Sequence, residues 1–460
     1  MSRLLHCVAF AVVFASCQAT LGQPRALLIQ NAHVVSLDRQ LGDQHDADVL
    51  VRDGRIVAVG RKLESAGAER IDARGMILLP GLVDTHTHLW LSAARGQFRN
   101  TPETDYFALK KRLGRHYTPD DVRVGTYAGA VETLASGVTT TVDFFHNLRS
   151  AAHLEAAEQA LLQSGIRARL LAGAHDDLGA AESIDLDLLA AAAARPRPAR
   201  VTLGLGWRGV GEGQPAVAAT GRREIMAARR LGLPVSVHSG GKRNGALAAS
   251  GLLGKDVQIV HATAATPAEL AAFRAAGSAL SLTPVTEQRV GYGLTVLGDY
   301  ASVGRIGLGI DGTALAGSAD LFANMRLLAL TESGARKKET AVAPRRILEL
   351  ATIEAARSIG MDDQIGSITP GKRADLVLLD PGALNMVAGD ADPYALIVYS
   401  ATPANVDTVI VDGVVLKRGG RLLGVDVARV MKEARASIEA ILERAGARSA
   451  ARSAARSAAQ

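Results

Sequence analysis

The sequence predicts an α/β protein: a (β/α)8 TIM-like barrel with a small composite β-sandwich domain built from its N- and C-terminal flanks. Three observations predict it. Eight short apolar runs alternate with amphipathic stretches across the middle of the chain, the flanks are strand-rich and turn on Asp-Gly pairs, and the histidines gather at the ends of the apolar runs. The barrel is assigned to residues 79–362, the composite domain to 23–78 and 363–424, a leader to 1–22, and a helix with an Ala/Arg/Ser tail to 425–460.

The eight runs are 76–84, 139–144, 168–174, 201–205, 235–238, 257–261, 279–283 and 306–310. Helical stretches such as 151–164, 221–231 and 267–276 separate them; Thr266-Pro267 opens the last and Gly277 closes it. In the flanks, 26–35, 47–51 and 55–59 read as strands, with Arg52-Asp53-Gly54-Arg55 as a hairpin turn. A second β-rich block, 374–380 and 406–416, contains the turn Val411-Asp412-Gly413-Val414, so the two flanks are expected to pair.

Composition narrows the function. An apolar fraction of 48% and a charged fraction of 21% exclude a disordered chain. The formal charge is +6, but Arg3 accounts for one and Arg444, Arg448, Arg452 and Arg456 for four, leaving about +1 for the body. A nucleic-acid partner is therefore not expected. The tail is read as a solvated extension. Residues 4–15 form an apolar run behind Arg3, with Ala19 and Gly22 as cleavage positions: an export signal, which implies a periplasmic or secreted protein. Cys17 permits a lipid anchor. Both cysteines, Cys7 and Cys17, fall in this leader, so neither disulfides nor thiol catalysis is available to the body. No later stretch is long and apolar enough for a transmembrane span, and a homo-oligomer is expected.

Of the 11 histidines, His86, His88, His146, His175, His238 and His261 fall at or just past predicted strand ends, the face where barrels of this kind carry their active site. His86 and His88 follow Pro80-Gly81 and an apolar strand. With a period of two they point to one side and can share an ion. His238, His261 and Asp311 end three further strands. Together these residues offer nitrogen and oxygen ligands around one mouth, a set that suits zinc or ferrous iron.

These residues resemble the amidohydrolase superfamily, in its cytosine deaminase and triazine hydrolase (chlorohydrolase) branch. The resemblance rests on the run from Pro80 to His88, on Gly137-Val138-Thr139-Thr140-Thr141, on His238, His261 and Gly309-Ile310-Asp311-Gly312, and on the run from Gly366 to Val377; it spans roughly residues 25–425. It implies a divalent ion, zinc or alternatively iron, held by His86, His88, His238 and Asp311, with His261 binding or polarising the metal-bound water; Asp311 and His261 are then expected to orient that water and accept its proton. A second ion would need a bridging lysine on the fourth strand, which has none.

One departure stands out. The branch carries His-x-x-Glu after the fifth strand, whereas here the run is His238-Ser239-Gly240-Gly241. Glu287, after the seventh strand, is the nearest carboxylate by position and is expected to enter the mouth and move the proton. Trp90, His146, His175 and Trp207 are the expected substrate contacts, and Arg208 is read as a surface ion pair. The function implied is metal-dependent hydrolysis of a carbon–nitrogen bond other than a peptide bond, in a heterocycle or cyclic amide of a small-molecule substrate. The alternatives are C–Cl or small-amide hydrolysis on the same fold, or an exported metal- or ligand-binding protein that has lost catalysis.

Overall fold

A computed structural model describes residues 26–388 and 391–446. The expected leader with Cys7 and Cys17, and the tail arginines Arg448, Arg452 and Arg456, lie outside the described residues.

The N-terminal flank forms β1 (Ala26–Val34), β2 (Gln44–Arg52), β3 (Arg55–Gly60), β4 (Glu69–Asp72) and β5 (Ile77–Pro80). The barrel strands are β6 (Leu82–Thr87), β7 (Val138–Leu148), β8 (Arg167–Ala174), β9 (Val201–Trp207), β10 (Val235–Gly240), β11 (Val257–Thr263), β12 (Ala279–Leu282) and β13 (Ile306–Leu308). The C-terminal flank adds β14 (Leu376–Leu379), β15 (Val406–Val411), β16 (Val414–Arg418) and β17 (Arg421–Leu422). The two flanks merge into one nine-stranded sheet in the order β17-β16-β15-β14-β5-β1-β2-β3, with β4 beside β1. The seam between them is the antiparallel pair of β5 and β14, in which Leu79 faces Val377.

Both Asp-Gly turns form, and they meet. Asp53 and Gly54 have φ of 49° and 74°, and Asp412 and Gly413 have 50° and 77°, the left-handed pair that a tight hairpin demands. A Cβ on Gly54 would lie 2.6 Å from the Asp412 carbonyl oxygen, so glycine is required for the contact as well as for the turn. The Ala374 N–H donates to the Gly54 carbonyl and its own carbonyl accepts from Gly413, which locks the two tips together.

The predicted strand 76–84 is two strands. Ile77–Pro80 belongs to the flank sheet and Leu82–Thr87 to the barrel, with Gly81 as the only residue between them. A Cβ there would fall 2.0 Å from Thr139 Oγ1, so the chain changes sheets where only glycine fits. An apolar run carries no mark of such a change, because both strands are fully buried.

The eight barrel strands are parallel neighbours from β6 to β13, and the ring closes at its mouth. Asp311 N–H donates to His86 O (2.8 Å) and His88 N–H donates to Asp311 O (2.9 Å). Gly309 permits this approach, since a Cβ on it would lie 2.9 Å from the His86 carbonyl oxygen. Around the barrel, the helix Pro267–Ala276 has the expected bounds, a Thr266/Glu269 capping box and Gly277 in the left-handed region. The helix expected over 221–231 starts earlier, as Pro215–Arg230, because Pro215 supplies the first helical position.

A buried ion cluster ties barrel to sheet. Arg167 of β8 donates from Nε and Nη2 to the two oxygens of Asp375 (2.7 and 3.0 Å) and also reaches Asp412. Asp375 accepts the Asp412 backbone N–H as well (2.8 Å). At the far end, the amphipathic helix Val427–Arg444 packs Ile438 and Ile441 inward, and its Arg444, expected to begin the free tail, instead pairs with Asp121. Among the described residues no helix is long and apolar enough to cross a membrane.

Candidate metal centre and active site

The strand ends bring together what the sequence scatters. His86 and His88 leave β6, His238 leaves β10, and Asp311 follows β13. His238 Nε2 lies 3.1 Å from His86 Nε2 and 3.3 Å from His88 Nε2. Asp311 Oδ1 lies 3.4 Å from His86 Nε2 and 3.2 Å from His88 Nε2. Tetrahedral ligands each ~2.1 Å from one ion stand ~3.4 Å apart, so these separations fit a single divalent ion.

The donor chemistry agrees with the spacing. Burial holds His86 neutral, with its pKa down at about 3, and pulls His238 well below the ordinary range. Burial pushes Asp311 up, but its bonds to His86 and His88 outweigh that and hold the carboxyl well below its usual value. His88 Nδ1 donates to the Phe144 carbonyl (2.7 Å), which leaves Nε2 as the free lone pair. Three imidazoles and one carboxylate facing a common point form a ligand set, and the residues present therefore fit a metal ion.

Local backbone strain marks the site. His261, Ala262 and Asp311 have φ of 70°, 51° and 68°. Non-glycine residues tolerate this region poorly, and the barrel closure holds them there. Beneath the ligands, Phe144 fills the barrel, its ring 4.4 Å from that of His238. Gly173 and Gly206 make room for it, since a Cβ on either would come within 3.0 Å of the ring.

Beside this cluster, His261 bonds Glu287 through Nδ1 (3.1 Å), so its Nε2 is left for the ligand side. His86, His261 and Asp311 place ligand atoms within 4.8 Å of one another. Burial lowers His261, but the Glu287 hydrogen bond and the Asp311 and Glu287 charges reverse this and leave its pKa raised. Glu287 itself is not in the mouth, which corrects the expectation. It lies in the helix Pro284–Arg289 and is 1% exposed. Its Oε1 takes the Thr283 N–H (2.9 Å) along with His261, and Oε2 takes the Thr295 hydroxyl. Proline at the start of that short helix turns Glu287 inward behind His261, making it a positioning residue with no free oxygen for a leaving group.

Both tryptophans also need correction. Trp207 is 0% exposed with its indole N–H bonded to Gly221 O (3.0 Å), and Trp90 is 1% exposed behind His146. Both are core. His146 stays at the site, its ring 4.2 Å from that of His88 and its Nδ1 bonded to Phe144 O (3.1 Å). His175, just past β8, is half-buried. Arg208 makes an ion pair as expected, with the buried Glu224 (3.6 Å), and also holds a loop by donating to the carbonyls of Gly179 and Glu182.

Sequence reasoning missed the mouth's other wall. Lys110, in the helix Tyr106–Gly114, is buried; it bonds Asp176 (3.0 Å) and lies 5.6 Å over the Tyr106 ring. The spacing of Tyr106 and Lys110, four apart on one helix, was the available signal. Tyr292, flanked by Gly291 and Gly293, is 42% exposed with its ring 6.0 Å from His261 and 6.5 Å from that of Phe107, which is 52% exposed.

Residues 77–416 match the Amidohydrolase family. The chain is 29% identical over 439 residues to the 5-methylthioadenosine/S-adenosylhomocysteine deaminase of Desulforudis audaxviator, covering 91% of this chain and 99% of that one. It is 27% identical to the 5'-deoxyadenosine deaminase of Methanosarcina acetivorans, covering 92% and 99%. Among solved structures it superposes on atrazine chlorohydrolase from Arthrobacter aurescens TC1 complexed with zinc, with a TM-score of 0.78, 25% identity, and coverage of 90% and 100%.

Proposed function

The chain belongs to the amidohydrolase family, and from that membership we propose that it deaminates a 6-aminopurine nucleoside modified at its 5' position. It is a hydrolase of carbon–nitrogen bonds other than peptide bonds. The observation that carries the finer reading is the convergence of His86, His88, His238 and Asp311, four of whose ligand-atom separations are 3.1–3.4 Å, beside the His261–Glu287 pair. The relatives that match nine-tenths of the chain support the choice of substrate.

An ion held by those four residues supplies a Lewis acid that makes water a nucleophile near neutral pH. The chain supplies the rest. His261, made more basic by Glu287, accepts a proton from the attacking water at Nε2, and Asp311 is the second acceptor. A C–O bond forms at the ring carbon, the C–N bond breaks, and the accepted proton leaves on ammonia. Phe107 and Tyr292 offer faces for a planar base. Asp176, steadied by Lys110, and His175 offer polar contacts to sugar hydroxyls. The leader adds that the reaction takes place outside the cytoplasm.

A second reading has one observation in its favour. After His238 the chain has no carboxylate: Ser239 bonds Asn244 (2.6 Å) and two glycines follow. A halide leaves without needing a proton, so hydrolysis of a C–Cl bond tolerates that gap. Zinc-loaded full-length protein offered 5'-methylthioadenosine, 5'-deoxyadenosine and S-adenosylhomocysteine should release ammonia. Chloride release from a chlorotriazine without ammonia from any nucleoside would select the second reading, and turnover of neither class would overturn both.

A further inference from the structure

The opposite end of the barrel is only partly filled, by a buried cluster that includes Val142, Leu171 and Ile359. A cavity of about 500 Å³ opens there, beneath Phe144 and Leu171, between the starts of β8, β10 and β11. Its inward-facing side chains lie two residues before those of the layer above: Val142 under Phe144, Ser236 under His238. Barrels of this size normally pack this layer with branched apolar side chains. Here, beside Val142, it holds three polar residues, Arg169, Ser236 and Gln258.

Its polar groups are short of acceptors. Arg169 donates one bond, from Nη1 to Ile359 O (2.9 Å), while its Nε is buried with no partner. Gln258 bonds Ser236 through one end of its amide (3.2 Å), and its Nε2 is buried with no partner either. Two orphaned donors in one cavity are costly to leave unmet. Lys255 and Arg305 complete the rim. Arg305 spends its donors on the carbonyls of Gly277 and Arg357, and neither it nor Lys255 nor Arg169 makes an ion pair among the described residues. The one acid of the lining, Asp256, is taken by Arg229 (2.7 Å). The accessible apolar part of the wall is Leu233 and Pro234, with Val142, Leu171 and Val257 buried behind.

We propose that this cavity is a second ligand site, distinct from the catalytic mouth, which takes a small organic oxyanion: its phosphate or carboxylate on Arg169, Gln258 and Lys255, its apolar body against Leu233 and Pro234. The volume admits a ligand of ordinary small-molecule size. A guanidinium without a carboxylate is the group best suited to a planar or tetrahedral oxyanion.

Thermal unfolding of the full chain with phenyl phosphate, benzoate or inorganic phosphate, each against chloride at matched ionic strength, tests this. Phenyl phosphate or benzoate should raise the midpoint saturably, by roughly 3 °C at about a hundredfold excess over Kd. Which of the two binds tighter identifies the headgroup, and inorganic phosphate should bind more weakly than phenyl phosphate. Arg169→Met should weaken binding more than about tenfold. Lys255→Ala, which removes an exposed side chain, should weaken it roughly threefold and keeps the test valid if the first variant does not fold. The response should persist in the His86→Ala/His88→Ala chain, which separates this site from any anion at the metal centre. No saturable shift with any of the three anions, an unchanged shift in both cavity variants, or loss of the shift with the two histidines would overturn the proposal.

Discussion

Two buried charged clusters in this barrel have opposite characters. At the seam, Arg167 meets Asp375 and Asp412, and every group faces its complement: guanidinium on carboxylate, with a backbone N–H on the spare lone pair. At the mouth, His86, His88, His238 and Asp311 crowd their ligand atoms together at 3.1–3.4 Å. The first is complete in itself. The second is the one that a cation would complete. Burial and charge are common to both, so neither separates a structural cluster from a catalytic one; what separates them is whether donors and acceptors balance.

The largest expected effect breaks the incomplete cluster. Asp311→Ala should lose about 10³-fold or more in kcat and release the metal, while the metal-free chain unfolds no earlier than wild type; metal content, turnover and thermal unfolding check the three parts. Next comes the complete cluster. Arg167→Met strands two carboxylates and should cost about 3–5 kcal/mol in urea unfolding, with turnover per folded molecule unchanged. If Asp311→Ala destabilised the metal-free chain as much as Arg167→Met does, the contrast would fail.

A smaller effect belongs to Glu287. Glu287→Gln should lower kcat about 10–100-fold. Glu287 raises the pKa of His261, and the working form of His261 is deprotonated, so the acid limb of the kcat/KM profile should move to lower pH in the variant. An unmoved limb would show that His261 is not the group being titrated. The smallest effect is on pH-dependent stability. Burial raises Asp143 and Asp84 from 3.8 to about 7, so each is protonated in the fold and loses its proton on unfolding. Their contributions are fully present below about pH 4 and decline as pH rises to about 7. Asp143→Asn should therefore gain on wild type across that interval in the metal-free chain, measured by denaturant unfolding at its two ends.

Much of the site was legible because its residues lie at strand ends. His86, His88, His238, His261 and Asp311 each follow a short apolar run, and strand ends on one face of a barrel converge whatever the loops do. Glu287 was found by number, but its direction was not, because a helix beginning at Pro284 decides that. Trp90 and Trp207 follow strand ends too, yet large apolar rings there are drawn into the wall. Tyr106 and Lys110 were hidden because a helix over the mouth reads like any solvated helix until its neighbours are known. The break at Gly81 left no periodic trace, since both halves of the run are buried.

That break governs how a substrate can enter. With a single glycine between β5 and β6, the flank sheet and the first ligand strand are one continuous stretch of chain, and the seam at Arg167 fastens the same two bodies a second time. No hinge is available between them. Entry must then be a local affair: Phe107 and Tyr292 stand at the rim as door-posts on short segments, and admission turns on side chains and loops instead of on domains swinging apart.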